Sequence, residues 1–594
     1  MNKIVLAQID TIAGDIFHNS AKIKDTIKKA KEKNAKLIIF PELALFGYPF
    51  GDIFARHKSL IKFQLNELEE IKKLTNGITA LVGYVEPTNA EDKKPYYNSI
   101  AVLQNGEQIT TARKRLLPSY CEFNDNRYFE PCKKAADIFE IDGEKFGIIV
   151  CEDGFNDKDF FEHNIYMCDP IEEIMQKNPD TIINCSSSPS RARKEQLKHN
   201  LLSSVAKKYA INYIYVNQAG YGDNLCFEDA SRIYNRNGVL TLRGKFFEED
   251  FIEAVDYKGE IENMPKGLEV RDEIKNFNMD YLNDLDRTYK TILCAIRGYF
   301  KKTGFKKAVL GLSGGLDSSV CAVLLADAIG KENVYGVSMP TKITSKGSKQ
   351  DAKILAQNLG IHFAEIPIAK EIDVFSNELK DIFRQIDADM YTKSTTFENI
   401  QARTRATILW SIANECKSML PIATSDKSEL YIGYATINGD MSGGFAPIAD
   451  VTKTKLFALA DFLNKNRQVK NAIPQAILEK PPGAELKFDE KKGRTITAEE
   501  DNMPYAFLDE IIWYVENHNY GYDDLKKHIF VYEKENHISI EQKENWILKF
   551  FDKTQKAVFK WHLLPPSVIV DAKSINMTEY HHPIISKYSM ISKN

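Results

Sequence analysis

The sequence predicts an α/β protein with at least two domains, on three observations. The chain has 594 residues, and a chain of this length usually folds into more than one domain, each with its own hydrophobic core. In residues 1–256, and again from residue 284, short apolar runs alternate with helical stretches. Residues 257–283 between them are polar, as expected of a linker. We therefore predict domains over residues 1–256 and 284–594, joined by a linker over residues 257–283.

Strands of the first domain are predicted where apolar and β-branched residues run together. These runs are residues 4–9, 37–40, 78–85, 99–103, 147–150, 181–184 and 213–216. Helices are predicted over residues 22–33, 59–74 and 194–209. Many strands mixed with helices, without an internal repeat, favour a mixed α/β domain.

The second half has the alternation of strands and helices that is typical of a doubly wound parallel sheet. The predicted series is helix 284–302, strand 308–312, helix 318–329, strand 334–339, helix 346–359 and strand 362–366. A lysine-rich stretch over residues 485–494 is predicted to be a mobile loop, and the tail after residue 509 to be mostly helical.

Composition excludes several classes of protein. The hydrophobic fraction is 43% and the charged fraction 27%, as in ordinary globular proteins. A net charge of −4 argues against a general nucleic-acid binder. Nine cysteines without Cys-x-x-Cys spacing favour neither a disulfide scaffold nor a zinc module, and fit a reducing cytosol. Without a signal-peptide core or an 18-residue apolar run, we expect a cytoplasmic protein that is not bound to a membrane.

A turn rich in glycine and serine separates strand 308–312 from the helix that follows. Its glycines let the backbone approach an anion, and the helix N-terminus offers free N–H groups. The serine hydroxyls add donors, and a carboxylate can hold a magnesium ion that neutralises phosphate charge. The turn lacks the Gly-Lys-Ser/Thr ending of a Walker loop. A glycine turn that only packs a helix on a sheet is the alternative. The candidate ATP-binding residues are Gly311, Leu312, Ser313, Gly314, Gly315, Leu316, Asp317, Ser318 and Ser319.

This turn resembles the pyrophosphate loop of ATP pyrophosphatases, which cleave ATP to AMP and pyrophosphate. Three segments follow in order: Glu-Asn-Ile-Gln-Ala-Arg (398–403), Thr-Ser-Asp-Lys-Ser-Glu (424–429) and Gly-Asp-Met-Ser-Gly-Gly (439–444). Together with the turn they resemble the synthetase domain of NAD synthetases over residues 284–570. The resemblance implies ATP as co-substrate, deamido-NAD as substrate, and Mg²⁺ held by Asp317 and Glu429. The resemblance also implies that Thr424 contacts ATP. The residues that it implies as deamido-NAD contacts are Asn399, Arg403, Glu429, Lys453 and Lys560. Lys560 is included because of a short match just before Pro565-Pro566.

The family pattern is broken at one point of this half. Ser425 and Asp426 stand where the family usually has Gly-Asn. The additional carboxylate of Asp426 can make the contacts to ATP, including those of Thr424, different from the contacts in the family.

The first half contains three separated residues suited to amide hydrolysis: Glu42, Lys114 and Cys151. The chemistry needs a thiol nucleophile, a base to activate it and a cation for the developing oxyanion. A lone cysteine at a strand end is more often a buried core thiol. The order of the three residues resembles the nitrilase, or carbon–nitrogen hydrolase, superfamily over nearly all of residues 1–256, and that match favours a catalytic role for Cys151.

This second resemblance implies a nitrilase-like α-β-β-α sandwich in which Glu42 is the general base, Lys114 stabilises the tetrahedral intermediate and Cys151 attacks the amide. In the NAD-synthetase branch, the matching glutamine-binding residues are Tyr120, Ser188 and Lys194. Two departures lie beside them, since Cys121 replaces a usual glycine and Ser190 a usual aromatic residue.

The two resemblances together imply a glutaminase fused to an ATP-dependent amidating enzyme. A dimeric synthetase domain in the resembled family leads us to expect a homo-oligomer. Other enzymes with this ATP loop, such as GMP or asparagine synthetase, use other glutaminase domains, and the latter needs Cys after the initiator Met, where this chain has Asn2. An RNA-modifying ATP pyrophosphatase is disfavoured by the acidic net charge. A non-catalytic regulator that kept the fold is the remaining alternative.

Overall fold

The computed structural model describes residues 3–255, 285–575 and 584, except residues 54–56, 90–92, 162, 164, 193, 228–229, 386–394, 468–469, 481–487, 490–493 and 496. The chain divides into two compact units, Met1–Asp272 and Glu273–Asn594. The predicted linker, residues 257–283, lies outside the described residues.

The first unit is built on two six-stranded sheets with the orders β14-β1-β2-β3-β4-β5 and β13-β12-β9-β8-β7-β6. The strands of the first sheet are β1 (Ile4–Gln8), β2 (Leu37–Ile39), β3 (Thr79–Pro87), β4 (Tyr96–Gln104), β5 (Glu107–Arg113) and β14 (Asp250–Ala254). Those of the second are β6 (Phe139–Ile141), β7 (Glu144–Val150), β8 (Thr181–Ser186), β9 (Asn212–Asn217), β12 (Arg232–Tyr234) and β13 (Leu240–Arg243). A hairpin joins β10 (Gly220–Gly222) and β11 (Leu225–Phe227).

Buried side chains of both sheets form one core, which includes Leu6 and Ile39 of the first sheet and Ile148 and Ile183 of the second. The helices are α1 (Ile16–Glu32), α2 (Lys58–Lys72), α3 (Asp125–Tyr128), α4 (Pro170–Met175) and α5 (Lys194–Lys208). Helices α1 and α2 pack together beside β3, whereas α4 and α5 pack on the second sheet. This arrangement confirms the expected α-β-β-α sandwich.

The second unit contains a four-stranded parallel sheet of order β17-β16-β15-β18. Its strands are β15 (Lys307–Gly311), β16 (Val334–Ser338), β17 (His362–Glu365) and β18 (Met419–Pro421). Helices pack on both faces of this sheet. Val309 of β15 packs with buried residues of the helices Ala369–Glu378 and Thr395–Glu415, and the helix Leu316–Ile329 contacts β15 and β16 as well. Successive residues of a strand point to opposite faces, so the two helix layers lie on opposite sides. The predicted doubly wound parallel sheet is therefore confirmed.

The helices of this unit continue the numbering in chain order. They are α6 (Leu285–Thr303), α7 (Leu316–Ile329), α8 (Lys346–Leu359), α9 (Ala369–Glu378), α10 (Lys380–Gln385), α11 (Thr395–Glu415), α12 (Lys427–Tyr431), α13 (Lys453–Asn466), α14 (Gln475–Glu479), α15 (Ala498–Asp501), α16 (Tyr505–His518), α17 (Tyr522–Lys527), α18 (Val531–Asn536) and α19 (Ile540–Trp561). The helices after α15 share a second core with α12. None of the helices in the described part of the chain has the length and apolar content needed to cross a membrane.

Three predictions of elements need correction. Helix α1 begins at Ile16 and not at residue 22, because the Asp15 side chain accepts a hydrogen bond from the His18 backbone N at 3.1 Å and caps the helix there. Helix α7 begins at Leu316, so Leu316 to Ser319 form its first turn instead of part of the loop. The predicted loop over residues 485–494 contains β19 (Phe488–Asp489), which pairs antiparallel with β20 (Arg494–Thr495), and its other residues lie outside the described part.

Candidate active sites

The first unit brings Glu42, Lys114 and Cys151 together at the ends of strands. Lys114 directly follows β5, and Cys151 directly follows β7. The Lys114 ammonium Nζ donates to Glu42 Oε1 at 2.7 Å, and the Glu42 carboxylate lies near enough to Cys151 to raise the pKa of its thiol. Each of the three is at most 5% exposed. The predicted triad is thus a buried, connected cluster.

The position of Glu42 depends on a close approach between chain segments. A Cβ at Gly83 of β3 would lie 2.3 Å from Leu43 N, so only glycine lets the segment around Glu42 approach the sheet. Asn98 Nδ2 donates to Glu42 Oε1 at 2.7 Å, and the Ser187 backbone N donates to Oε2 at 2.9 Å. These donors fix the carboxylate in one orientation. No sequence pattern points to Asn98, a polar residue within a strand.

Asp125 is a fourth member of the cluster, and the sequence did not indicate it. Lys114 Nζ donates to Asp125 Oδ2 at 2.6 Å. Burial opposes the charge of Lys114, but Asp125 and Glu42 outweigh it and hold the Lys114 pKa well above its ordinary value. Burial in turn raises the pKa of Asp125 to about 6. Lys114 is therefore an ammonium held between two carboxylates.

The backbone at Cys151 has the left-handed φ of +46°, at the first residue of the 3₁₀ helix Cys151–Gly154. Asp153 holds this turn, because it accepts from the Val150 N at 3.1 Å and from the Arg115 N at 3.0 Å. Burial, and then the neighbouring Glu42, raise the pKa of the Cys151 thiol. Cys151 is thus a thiol at rest, and it would need a base such as the neighbouring Glu42 to act as a nucleophile.

Two of the predicted glutamine contacts, Tyr120 and Lys194, lie against the same ring, Phe123. The Tyr120 and Phe123 rings pack edge to face with centroids 5.4 Å apart, and Lys194 Nζ lies 5.2 Å from the Phe123 centroid. The Tyr120 hydroxyl donates to the carboxylate of Glu152, the residue after Cys151, at 2.8 Å. Burial lowers the pKa of Lys194. The neighbouring Cys121 has a φ of +52°, which explains why glycine is usual there.

Ser188, the third predicted glutamine contact, is buried. Its backbone N donates to Asn217 Oδ1 at 2.8 Å, and its carbonyl accepts from Asn217 Nδ2 at 3.0 Å. The Asn217 side chain therefore satisfies both backbone polar groups of Ser188, as a neighbouring strand would, and fixes the segment that follows β8.

In the second unit, the glycine-rich turn connects β15 to α7. Gly314 has a φ of +75°, and a Cβ there would lie 2.2 Å from the carbonyl oxygen of Ser348. Ser313 Oγ accepts from the Gly315 N at 3.2 Å, and Ser319 Oγ donates to the Gly315 carbonyl at 2.6 Å. Serine hydroxyls thus hold the turn in shape, in addition to any role toward a ligand.

A cavity of about 640 Å³ opens beside this turn, within the size range of nucleotide and cofactor sites. Gly314 and Ser319 do not line it. The predicted site residues that do are Gly311, Leu312, Ser313, Gly315, Leu316, Asp317, Ser318, Asn399, Arg403, Thr424, Glu429, Lys453 and Lys560. Most of the ATP and deamido-NAD residues predicted from separated segments therefore surround one space.

Asp317, Glu429 and Asp426 form a carboxylate cluster around Lys453. Lys453 Nζ lies 2.6 Å from Asp317 Oδ1, 2.5 Å from Asp426 Oδ2 and 2.8 Å from Glu429 Oε1. One oxygen of each carboxylate lies within 4.8 Å of the other two. Burial opposes the charge of Lys453, but the three carboxylates outweigh it and keep the Lys453 pKa well above its ordinary value. Carboxylate oxygens in this number are the ligands that Mg²⁺ prefers.

The other predicted deamido-NAD contacts hold the segment 433–437. Lys560 Nζ donates to two carbonyl oxygens of that segment at 2.6 and 2.7 Å. Arg403 Nε donates to a third at 3.2 Å, and Asn399 Oδ1 accepts from the Thr436 hydroxyl at 2.7 Å. These polar groups thus converge on one wall of the cavity.

Comparisons with known proteins identify both units. A Carbon-nitrogen hydrolase family model matches residues 3–256, and an NAD synthase model matches residues 288–548. A glutamine-dependent NAD(+) synthetase from Synechocystis is 35% identical over 517 residues, which cover 86% of this chain and 88% of the relative. The chain belongs to the glutamine-dependent NAD(+) synthetases. A relative of the same name from Thermotoga maritima is 34% identical over 86% of this chain and 88% of its own.

Solved structures of the family agree with this assignment. Glutamine-dependent NAD+ synthetase from Acinetobacter baumannii, in complex with adenosine diphosphate, is similar with a TM-score of 0.71 and 29% identity, covering 98% of each chain. The enzyme from Cytophaga hutchinsonii has a TM-score of 0.80 at 21% identity, covers 100% of this chain and 99% of its own, and shares the fold.

Proposed function

We propose that the first unit hydrolyses glutamine and that the second unit uses the ammonia and ATP to convert deamido-NAD to NAD, with AMP and pyrophosphate as products. One observation carries the proposal. The buried Glu42–Lys114–Cys151 cluster occurs in a Carbon-nitrogen hydrolase unit of the same chain as an NAD synthase unit.

In the glutaminase, the Cys151 sulfur attacks the side-chain amide carbon while the thiol proton passes to Glu42. The Lys114 ammonium stabilises the oxyanion of the tetrahedral intermediate. Glu42 then returns the proton to the leaving nitrogen, and ammonia departs from a thioester. A water molecule, deprotonated by Glu42, attacks the thioester and releases glutamate. Tyr120, Ser188 and Lys194 are proposed to bind the glutamine.

In the synthetase, the nicotinate carboxylate of deamido-NAD attacks the α-phosphate of ATP, and pyrophosphate leaves. Ammonia then attacks the adenylated carboxyl group, AMP departs with the C–O bonding electrons, and a proton is lost to give the amide. The turn 311–319 and Thr424 are proposed to hold ATP. Asn399, Arg403, Glu429, Lys453 and Lys560 are proposed to hold deamido-NAD.

Asp317 and Glu429 are proposed to bind Mg²⁺, and the fit is supported by the close spacing of their oxygens. Bound Mg²⁺ would offset phosphate charge in such a site. The two carboxylates lie in the first turns of helices α7 and α12, and both side chains line the cavity.

Two further proposals concern the oligomeric state of the protein and its cellular compartment. We propose a homo-oligomer, because the synthetase domain of the resembled family is built as a dimer. None of the nine cysteines, all of which lie in the described part of the chain, is paired in a disulfide, which suits a reducing cytoplasm, where ATP is also available.

The test is incubation of the full chain with ATP, Mg²⁺, glutamine and deamido-NAD. NAD should form, and pyrophosphate release should require deamido-NAD. Pyrophosphate release that is indifferent to deamido-NAD, or an absence of NAD, would rule out the proposed reaction and favour another ATP pyrophosphatase.

A further inference from the structure

The carboxylate cluster of the second unit has one member more than the predicted metal ligands. Asp426 is fully buried, and its Oδ1 accepts from the Glu429 backbone N at 3.0 Å, which caps helix α12. Its Oδ2 is buried and has no hydrogen-bond donor other than the Lys453 ammonium, whose Nζ lies 2.5 Å away. The charge of a buried carboxylate is costly unless a cation compensates it.

We propose that Asp426 is a third carboxylate ligand of the divalent cation that Asp317 and Glu429 hold, and that the Lys453 ammonium competes with this cation for the same three oxygens. The inference rests on the proposed metal role of Asp317 and Glu429.

The competition follows from the distances. Lys453 Nζ lies within 2.8 Å of an oxygen of each of the three carboxylates. A Mg²⁺ or Mn²⁺ ion that touches the same oxygens has metal–oxygen distances of about 2.1 Å, and so occupies the place of Nζ. Two cations cannot share one small oxygen pocket, so binding of the metal displaces the ammonium.

The surroundings give Lys453 somewhere to move. Lys453 is the first residue of α13, and its backbone N is fixed by the Ser428 hydroxyl at 2.7 Å, so only the flexible side chain has to shift. The centroid of the Tyr505 ring already lies 5.3 Å from Nζ, so this aromatic face can keep contact with the ammonium as it shifts. Both Lys453 and the turn carrying Asp317 border the cavity. Phosphate oxygens of a nucleotide in that cavity would offer the ammonium new acceptors, and nucleotide should therefore raise the affinity for the metal.

The first test measures Mn²⁺ binding to the full-length protein by the electron paramagnetic resonance signal of free Mn²⁺, because Mn²⁺ accepts the same oxygen ligands as Mg²⁺. Asp426→Asn should weaken Mn²⁺ binding at least ~10-fold, since even partners outside the ligand set change metal affinity by ~10–100-fold. Asparagine caps helices as well as aspartate does, so α12 is retained. A matched control is Asp440→Asn, which removes another carboxylate that lines the same cavity but lies outside the cluster, and should change the affinity less than ~3-fold.

The second test uses Lys453→Met, which removes the competing charge. Without nucleotide, this variant should bind Mn²⁺ at least ~10-fold more tightly than the wild type, and added ATP should raise its affinity less. If the variant is unstable in EDTA, its thermal unfolding temperature should recover on addition of Mn²⁺, since the metal replaces the ammonium.

Two results overturn the inference. Asp426→Asn within ~3-fold of the wild type excludes Asp426 as a ligand. Lys453→Met that binds Mn²⁺ no more tightly than the wild type, or that is unstable and not restored by Mn²⁺, excludes the competition. Neither measurement uses deamido-NAD, so a failure here leaves NAD formation to be judged separately, and a failure of NAD formation leaves the metal titration intact.

Discussion

Replacement of Gly314 by alanine should disable the ATP site while the glutaminase continues to work. The Cβ of an alanine would lie 2.2 Å from Ser348 O and 2.8 Å from Ser348 Cα. These are backbone atoms of α8, which cannot rotate away as a side chain would. The loop or the helix must therefore move by more than ~1 Å to reach van der Waals contact.

Two costs add at this position. A left-handed φ of +75° costs an alanine about 1–2 kcal/mol relative to glycine. Relief of the clash costs about 1–3 kcal/mol, as in overpacked cores. A displacement of about 1 Å in a loop that positions a reacting group reduces the rate by ~100-fold. We expect a loss of this order in ammonia-dependent NAD synthesis.

Gly304→Ala is the matched control, because Gly304 has a φ of +81° but open space where the Cβ would lie. It should show only the conformational cost, with ATP-dependent activity near that of the wild type. The assay is steady-state NAD formation with ammonium as nitrogen donor, together with thermal unfolding and glutamine hydrolysis. Equal ATP-dependent activity of the two variants would show that close packing at Gly314 does not hold the phosphate loop.

Three further substitutions separate the two units. Glu42→Gln should lower glutamine hydrolysis by at least ~100-fold and spare ammonia-dependent synthesis, because the thiol loses its base; full glutaminase turnover would refute the assignment of Glu42. Asp125→Asn should lower the glutaminase rate about tenfold. In the wild type, protonation of Asp125 below its pKa of about 6 should lower the rate in the same way. The fall in glutaminase rate toward acid pH should therefore be absent from Asp125→Asn, and a variant with the pH profile of the wild type would contradict the role of Asp125. Asp317→Asn should stop NAD formation with either nitrogen donor, and near-normal pyrophosphate release would exclude a metal role.

Sequence reasoning predicted the elements that consist of long apolar runs. The strands and helices predicted between residues 284 and 366 lie within two residues of those observed. Among the strands that it missed are β5 and β14 at the edges of the first sheet, and the short strands β10 and β11, which contain only three residues each and pair with each other in a hairpin. Such strands depend on a tertiary partner, and their sequences carry too little periodicity to predict.

The site shows the same division between pattern and tertiary contact. Glu42, Lys114 and Cys151 could be selected because their order matches a family, and the structure brings them together. Asp125 could not, because an aspartate in a turn usually caps or faces solvent. Here a hydrogen bond from its backbone N to the carbonyl of Pro118, at 3.1 Å, helps to fold the turn that carries it to Lys114. In the sequence Asp426 stands out only as a departure from the family pattern, and its contact with Lys453 depends on the fold.

Glutamine hydrolysis and amide synthesis are proposed to use separate sites on one chain. This separation is tested by Cys151→Ala, assayed for NAD formation from deamido-NAD and ATP with either glutamine or ammonium as nitrogen donor. We expect synthesis from glutamine to be lost, because the proposed nucleophile belongs only to the first unit, while synthesis from ammonium stays near the wild-type rate. Loss of both activities in a folded variant, or retention of glutamine-dependent synthesis, would contradict it.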